Sequence, residues 1–90
     1  MKLNHDLTIE QTKEIGDSLG VNWDEIDIEQ FKRGLLVELE HGSVNPKTNI
    51  TDDDAVMTAK IALAHLEELP DYYTLLQNME MEAEQELAND

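Results

Sequence analysis

Four side chains able to do chemistry fall into two pairs at helical spacing: Glu38 with His41 in "VELEHG", and His65 with Glu68 in "ALAHLEELP". A carboxylate and an imidazole three residues apart on an α-helix are neighbours about one turn from each other. Three chemistries follow. The groups can hydrogen-bond each other, Tyr72, Tyr73 or a helix end, and so fix the packing of a helical core. They can ligate a divalent cation, as Glu-x-x-His pairs do in helical bundles. Glu38, His41, His65 and Glu68 are then the candidate ligands, with Asp71 in reserve, and this mixed nitrogen and oxygen set suits Zn²⁺, Mn²⁺ or Fe²⁺ better than Ca²⁺. They can also serve as acid and base in a cleft. No nucleophile, Gly-rich loop or second catalytic element accompanies them, so the sequence leans away from an enzyme. A small metal-dependent hydrolase is the catalytic alternative. A di-iron centre would need two further glutamates at core positions, and the sequence does not place them.

Whether these groups face a core depends on the helices that carry them. With about 100° per residue and Phe31 at zero, Leu35 and Leu39 lie near 40° and 80°. Glu38 falls at roughly −20°, inside that apolar arc, while Glu40 points away. His41 sits at the edge of the same face. Taking His65 as zero, Thr58, Leu69 and Ala62 lie at roughly 20°, 40° and 60°, so His65 also stands among core-facing groups. Glu68 borders a charged edge. Glu38 and His65 are therefore expected inside, and Glu40 outside. The spacing leaves open whether the two pairs meet within one chain or across a symmetric homodimer.

Four helices are legible around these residues. The first is expected over about residues 9–19, where Thr8 and Gln11 have capping-box spacing and Gly20 suits a left-handed stop. Gly16 weakens its interior or allows a close helix crossing. Trp23, in the connector "VNWDEID", is expected to plug one end of the core. The second helix, about 28–41, begins after Asp27 and ends at Gly42. The loop "GSVNPKTNIT" is turn chemistry. Its oxygens lack the spacing of an EF-hand and its terminal Glu.

Thr51 is expected to cap a third helix, about 52–69, whose first turn carries Asp52, Asp53 and Asp54. This helix is apolar nearly all round from Ala55 to Leu69 and should be the most buried. Pro70 ends it and favours a fourth, about 71–86, with Tyr72, Leu76, Met79 and Ala83 along one face. Tyr72 and Tyr73 read as core plus rim, and the acidic tail beyond Met81 is expected to fray. His5 reads as an ordinary terminal histidine. The fold class is all-α: a small four-helix, roughly antiparallel bundle forming a single domain over residues 1–90.

Ninety residues bury only roughly 60–65% of the surface that the unfolded chain exposes, which leaves no room for a deep dinucleotide cleft. The absence of cysteine excludes disulfides, thiolate metal sites and cysteine nucleophiles, and fits a cytoplasmic protein. No apolar run resembles a signal peptide or a membrane span. Six basic residues against 21 acidic ones give a net charge of −15. Such a chain repels phosphate backbones and anionic bilayers and attracts basic protein surfaces.

"FKRGLLVELEHGSVNPKTNIT" and "AKIALAHLEELPDYYTLLQNME" closely resemble a family of small uncharacterised archaeal and bacterial proteins, with related segments in tailed phages, catalogued as a domain of unknown function. The resemblance runs over roughly Leu19 to Glu80. Trp23, Phe31, residues 37–42, the aspartates after Thr51, residues 60–66 and residues 70–73 carry it. It implies an all-helical fold and brings no activity, cofactor or partner. The functional expectation is an acidic cytoplasmic binding module. Its Glu/His cluster either organises the core or holds a divalent metal. The alternative is an interaction or assembly factor, or a nucleic-acid mimic, acting through the acidic surface.

Overall fold

The computed structural model describes residues 1–89. Its helices are α1 (Ile9–Ser18), α2 (Ile28–Glu38), α3 (Ala55–Glu68) and α4 (Tyr72–Asn89), and a single 3-10 turn over Leu39–His41 prolongs α2. The chain is all-α, and no strand is formed among the described residues. One isolated bridge pairs Lys2 with Asp54.

Local chemistry sets most of the boundaries. Thr8 caps α1 through a reciprocal box: its hydroxyl accepts from Gln11 N at 3.1 Å, and Gln11 Oε1 accepts from Thr8 N at 2.9 Å. Gly20, at φ +74°, takes the left-handed turn after α1. Asp27 caps α2 by accepting from Gln30 N at 3.1 Å.

The start of α3 differs from the expectation. Asp54, not Thr51, is its N-cap, accepting from Met57 N at 3.0 Å, and the helix begins at Ala55. The reason is backbone geometry. Asp52 and Asp53 have φ of 50° and 63°, a left-handed conformation that Asp tolerates better than most residues and that cannot belong to a right-handed helix. The three aspartates stand ahead of the first turn, each with a partner. Asp52 pairs with Lys2 Nζ at 3.0 Å. Asp53 accepts from the Ser43 backbone N–H at 2.9 Å and from the Ser43 hydroxyl, and this hydroxyl bond above all holds its carboxyl below the usual range. The N-terminal segment is lashed to the same place, with Leu3 N donating to Asp53 O at 2.8 Å and Ala55 N to Met1 O at 2.9 Å.

The core lies around α2, which touches each of the other helices. Phe31, Leu35 and Leu39 meet Ala55, Ala59, Ala62 and Leu66 of α3, Ile15 of α1 and Tyr73 of α4, and Leu3, Leu7 and Ile26 close the ends. Phe31 and Leu35 are fully buried, and truncating either to Ala costs about 2–5 kcal/mol. Thr12 and Thr58, also fully buried, donate their hydroxyls to Thr8 O and Asp54 O at 2.8 and 2.7 Å, so neither is left unsatisfied.

Helix α3 carries five buried residues, more than any other helix, as its apolar character leads one to expect, while Val56 and Met57 on its outer side are 43% and 46% exposed because so small a bundle covers only one side of it. Gly16 makes room for the Trp23 ring rather than for a crossing helix. That ring stands edge-on to Phe31 at 5.7 Å, with its N–H donated to Asp17 Oδ1 at 2.8 Å. Helix α4 runs on to Asn89, a little past the end near residue 86 expected from the sequence. Asp90, the last residue of the acidic tail, lies outside the described residues.

Candidate functional site

Glu38 ends α2 on the core-facing side, as its helical phase requires, and its side chain is 7% exposed. Glu40, on the opposite phase, is 66% exposed. The structure brings both histidines to the buried carboxylate within one chain. His41 Nε2, on the 3-10 turn, stands 3.8 Å from Oε1, and His65 Nε2, on α3, stands 3.7 Å from Oε2. Both separations exceed a hydrogen bond. The bond that is made comes from α4: Tyr73 Oη donates to Glu38 Oε2 at 2.7 Å.

The two tyrosines and His65 roof this carboxylate. His65 stacks on Tyr72 with ring centroids 4.2 Å apart and planes within 2°. Tyr73 stands perpendicular to both, 6.1 Å from His65 and 5.0 Å from Tyr72. Tyr73 is buried and Tyr72 half-buried, which divides them into core and rim as adjacent helical residues must be. Burial first, and the Glu38 carboxylate second, push the Tyr73 hydroxyl well above its ordinary pKa, so it stays protonated and remains the donor.

Pro70 positions this roof. It ends α3 at Glu68 with Leu69 extended, and α4 restarts at Tyr72. Asp71 serves there through its backbone carbonyl, which accepts from Thr74 N at 3.0 Å and Leu75 N at 3.1 Å. The close seating of Tyr73 depends on Gly34. A Cβ there would lie 2.5 Å from Tyr73 Cε2 and 3.1 Å from Ala62 Cβ. Beside it, Gln30 Nε2 and Arg33 Nη1 donate to Thr74 Oγ1 at 2.5 and 3.1 Å and tie α2 to α4 a second time.

Of the four candidate ligands, Glu38, His41 and His65 come together. Glu68 is exposed and makes no ion pair or hydrogen bond with them. His65 is less buried than its phase implies, with 37% of its side chain exposed, and His41 is 45% exposed. Among the described residues no group of three or more His, Cys, Asp or Glu is arranged to hold a metal ion. The arrangement can hold a proton in place at Tyr73 Oη and stabilise a buried charge at Glu38. Two features escape the sequence reading. Gly34 is one, although a glycine inside an apolar helical stripe is a signal of close approach. The other is the clamp of Ser43 and Lys2 on Asp53 and Asp52. Nothing in the run of three aspartates distinguishes it from helix capping.

Together these features define a class: a small all-α bundle pinned by a buried glutamate under two tyrosines. The chain matches the family described as "Protein of unknown function (DUF5661)" over residues 12–82, and it belongs to that family. The match begins a little before the Leu19 limit expected from the sequence and ends just past Glu80. Neither curated proteins nor solved structures give a match. Among the described residues no helix is long and apolar enough to cross a membrane.

Proposed function

We propose that this chain is an acidic helical binding module that engages a basic protein surface, and that the Glu38 cluster is the structural keystone of its fold. The observation that carries this reading is the sealed carboxylate. Glu38 has ionisable or hydrogen-bonding groups on several sides, and its side chain is 7% exposed with an oxygen already taken by Tyr73. A group so placed acts on its neighbours rather than on an incoming molecule. What remains available to a partner is the outer surface, and a net charge of −15 makes it attractive to Lys- and Arg-rich proteins and repulsive to phosphate backbones.

The test uses the whole chain and a partner captured by crosslinking, identified, and then reconstituted from purified components. The partner should present a basic face, and its affinity should fall steeply as salt rises. The double variant Glu38→Gln with His65→Gln should lose stability yet hold the partner as before at temperatures where it is folded. A partner whose binding ignores salt, or is abolished by that pair of changes in the folded protein, sinks the reading.

A second reading of the same cluster is a divalent ion, Zn²⁺, Mn²⁺ or Fe²⁺, on Glu38, His41 and His65. The convergence of two imidazole nitrogens on one carboxylate supports it. It requires both rings to move closer to a common point and the Tyr73 bond to be shared or given up. Glu68 has no part in it.

A further inference from the structure

The stripe that α4 turns toward the bundle continues past the point where the bundle stops. Tyr72 and Leu76 pack against the core. Met79, Ala83 and Leu87 follow Leu76 at intervals of three and four, and so lie on the same side of the helix. Yet every residue from 77 to 88 is exposed, with Met79 at 58% and Leu87 at 76%. Beyond Leu76 an apolar seam of Met79, Ala83 and Leu87 therefore runs for about two turns with none of the described residues packed against it.

The charges along this segment are all of one sign. Glu80, Glu82, Glu84 and Glu86 flank the seam, and α4 has no basic residue in its last turn. Glu80 and Glu84, and likewise Glu82 and Glu86, are like-charge neighbours four apart, which weakens a helix. Acidic groups near the C-terminal end also oppose the helix dipole. An isolated helix of this length is marginal in water. Both the apolar seam and the electrostatic imbalance are relieved by one kind of occupant.

Resting on the reading of a basic partner, we propose that residues 76–88 dock an amphipathic helix whose aliphatic seam is bordered by Lys and Arg. A second copy of this chain is a poor occupant, because it brings glutamates against glutamates. An anionic bilayer is repelled for the same reason.

The test follows backbone amide shifts of the full chain while two synthetic peptides of about three heptads are added. Both contain the same Leu, Lys and Ala residues. In one, Leu occupies the a and d positions with Lys at e and g; in the other the order is scrambled. The heptad peptide should shift residues 76–88 and bind about tenfold or more tighter than the scrambled one. The double variant Met79→Gln with Leu87→Gln keeps the helix propensity and changes only exposed positions. It should weaken heptad-peptide binding about tenfold or more while leaving the melting temperature unchanged.

Equal binding of the two peptides, or of the variant and the native chain, overturns the docking seam and leaves the acidic-surface reading standing. No binding of either peptide at low salt overturns both. Self-association of the chain alone through these residues would make the occupant a second copy, and would also overturn the proposal.

Discussion

Tyr73 Oη reaches Glu38 Oε2 over 2.7 Å and so ties the start of α4 to the end of α2 beneath the His65–Tyr72 stack. The bond serves both groups. The buried carboxylate gains a donor in place of water, and the buried phenol gains an acceptor. In Tyr73→Phe the ring is kept and Oε2 is left without its donor. A hydrogen bond to a charged group contributes about 1.5–3 kcal/mol. Urea unfolding of Tyr73→Phe should show a loss of that size with an unchanged dependence on denaturant. An unaltered midpoint would mean that Glu38 draws its stabilisation from elsewhere.

Burial of the Tyr73 hydroxyl, with the Glu38 carboxylate beside it, makes stability fall at high pH. The Tyr73 pKa is raised in the fold, by burial and then by Glu38. A raised pKa means that the folded state keeps the proton where the unfolded chain gives it up. The stabilisation is complete below the unfolded tyrosine value of about 10 and declines as pH rises above it. Over that range the slope attributable to one retained proton is about 1.4 kcal/mol per pH unit. Denaturation series from pH 8 to 11 should show parallel behaviour of native protein and Tyr73→Phe below about pH 9, and by pH 11 a loss in the native protein greater by about 1.4 kcal/mol in total. Parallel behaviour over the whole series would indicate that Tyr73 ionises in the fold as readily as in the unfolded chain.

Gly34 tests how the roof is seated. Alanine is a better helix former than glycine by about 1 kcal/mol, so on propensity alone Gly34→Ala should stabilise α2. The new methyl would meet Tyr73 Cε2 at 2.5 Å and Ala62 Cβ at 3.1 Å, both in the closed core. Overpacking of this kind costs about 1–3 kcal/mol, so a net loss is expected. Thermal melts will show the sign. A gain in stability would mean that α4 can lift away from α2 at no cost.

Much of the fold is legible in the sequence because its signals are local. The caps of α1 and α2, the stop at Pro70 and the inward phase of Glu38 follow from residues within a turn or two of each other. The start of α3 is not legible, because part of what decides it is distant. Asp52 and Asp53 donate their own N–H groups locally, to Asn49 Oδ1 and Thr51 Oγ1, but are held as well by Lys2, Leu3 and Ser43, and these three partners lie 10 to 50 residues away. The phase of His65 is read correctly and its burial overestimated. A helical wheel gives direction, whereas burial depends on how much neighbouring chain exists to cover that direction. The same limit applies to α4, where Met79 and Ala83 continue the stripe of Leu76 into open solvent.

The remaining choice concerns an ion on the Glu38 cluster, and the expected outcome is that none is needed for folding. The carboxylate already accepts from Tyr73, and neither histidine is within 3.5 Å of it: their nearest nitrogens stand at 3.8 and 3.7 Å. Protein purified without a tag should hold no stoichiometric zinc, manganese or iron, and a chelator should leave its melting temperature unchanged. The alternative predicts a large signal. An ion at a hundredfold excess over its Kd stabilises by about 2.7 kcal/mol. That corresponds to a rise in Tm of roughly 10–20 °C for a domain of this size. A chelator-sensitive melt that disappears in His65→Gln would replace the keystone reading with a metal centre built on Glu38, His41 and His65. A chelator-sensitive melt that survives His65→Gln would point instead to a cation held by the acidic surface, whose effect should vanish as salt rises.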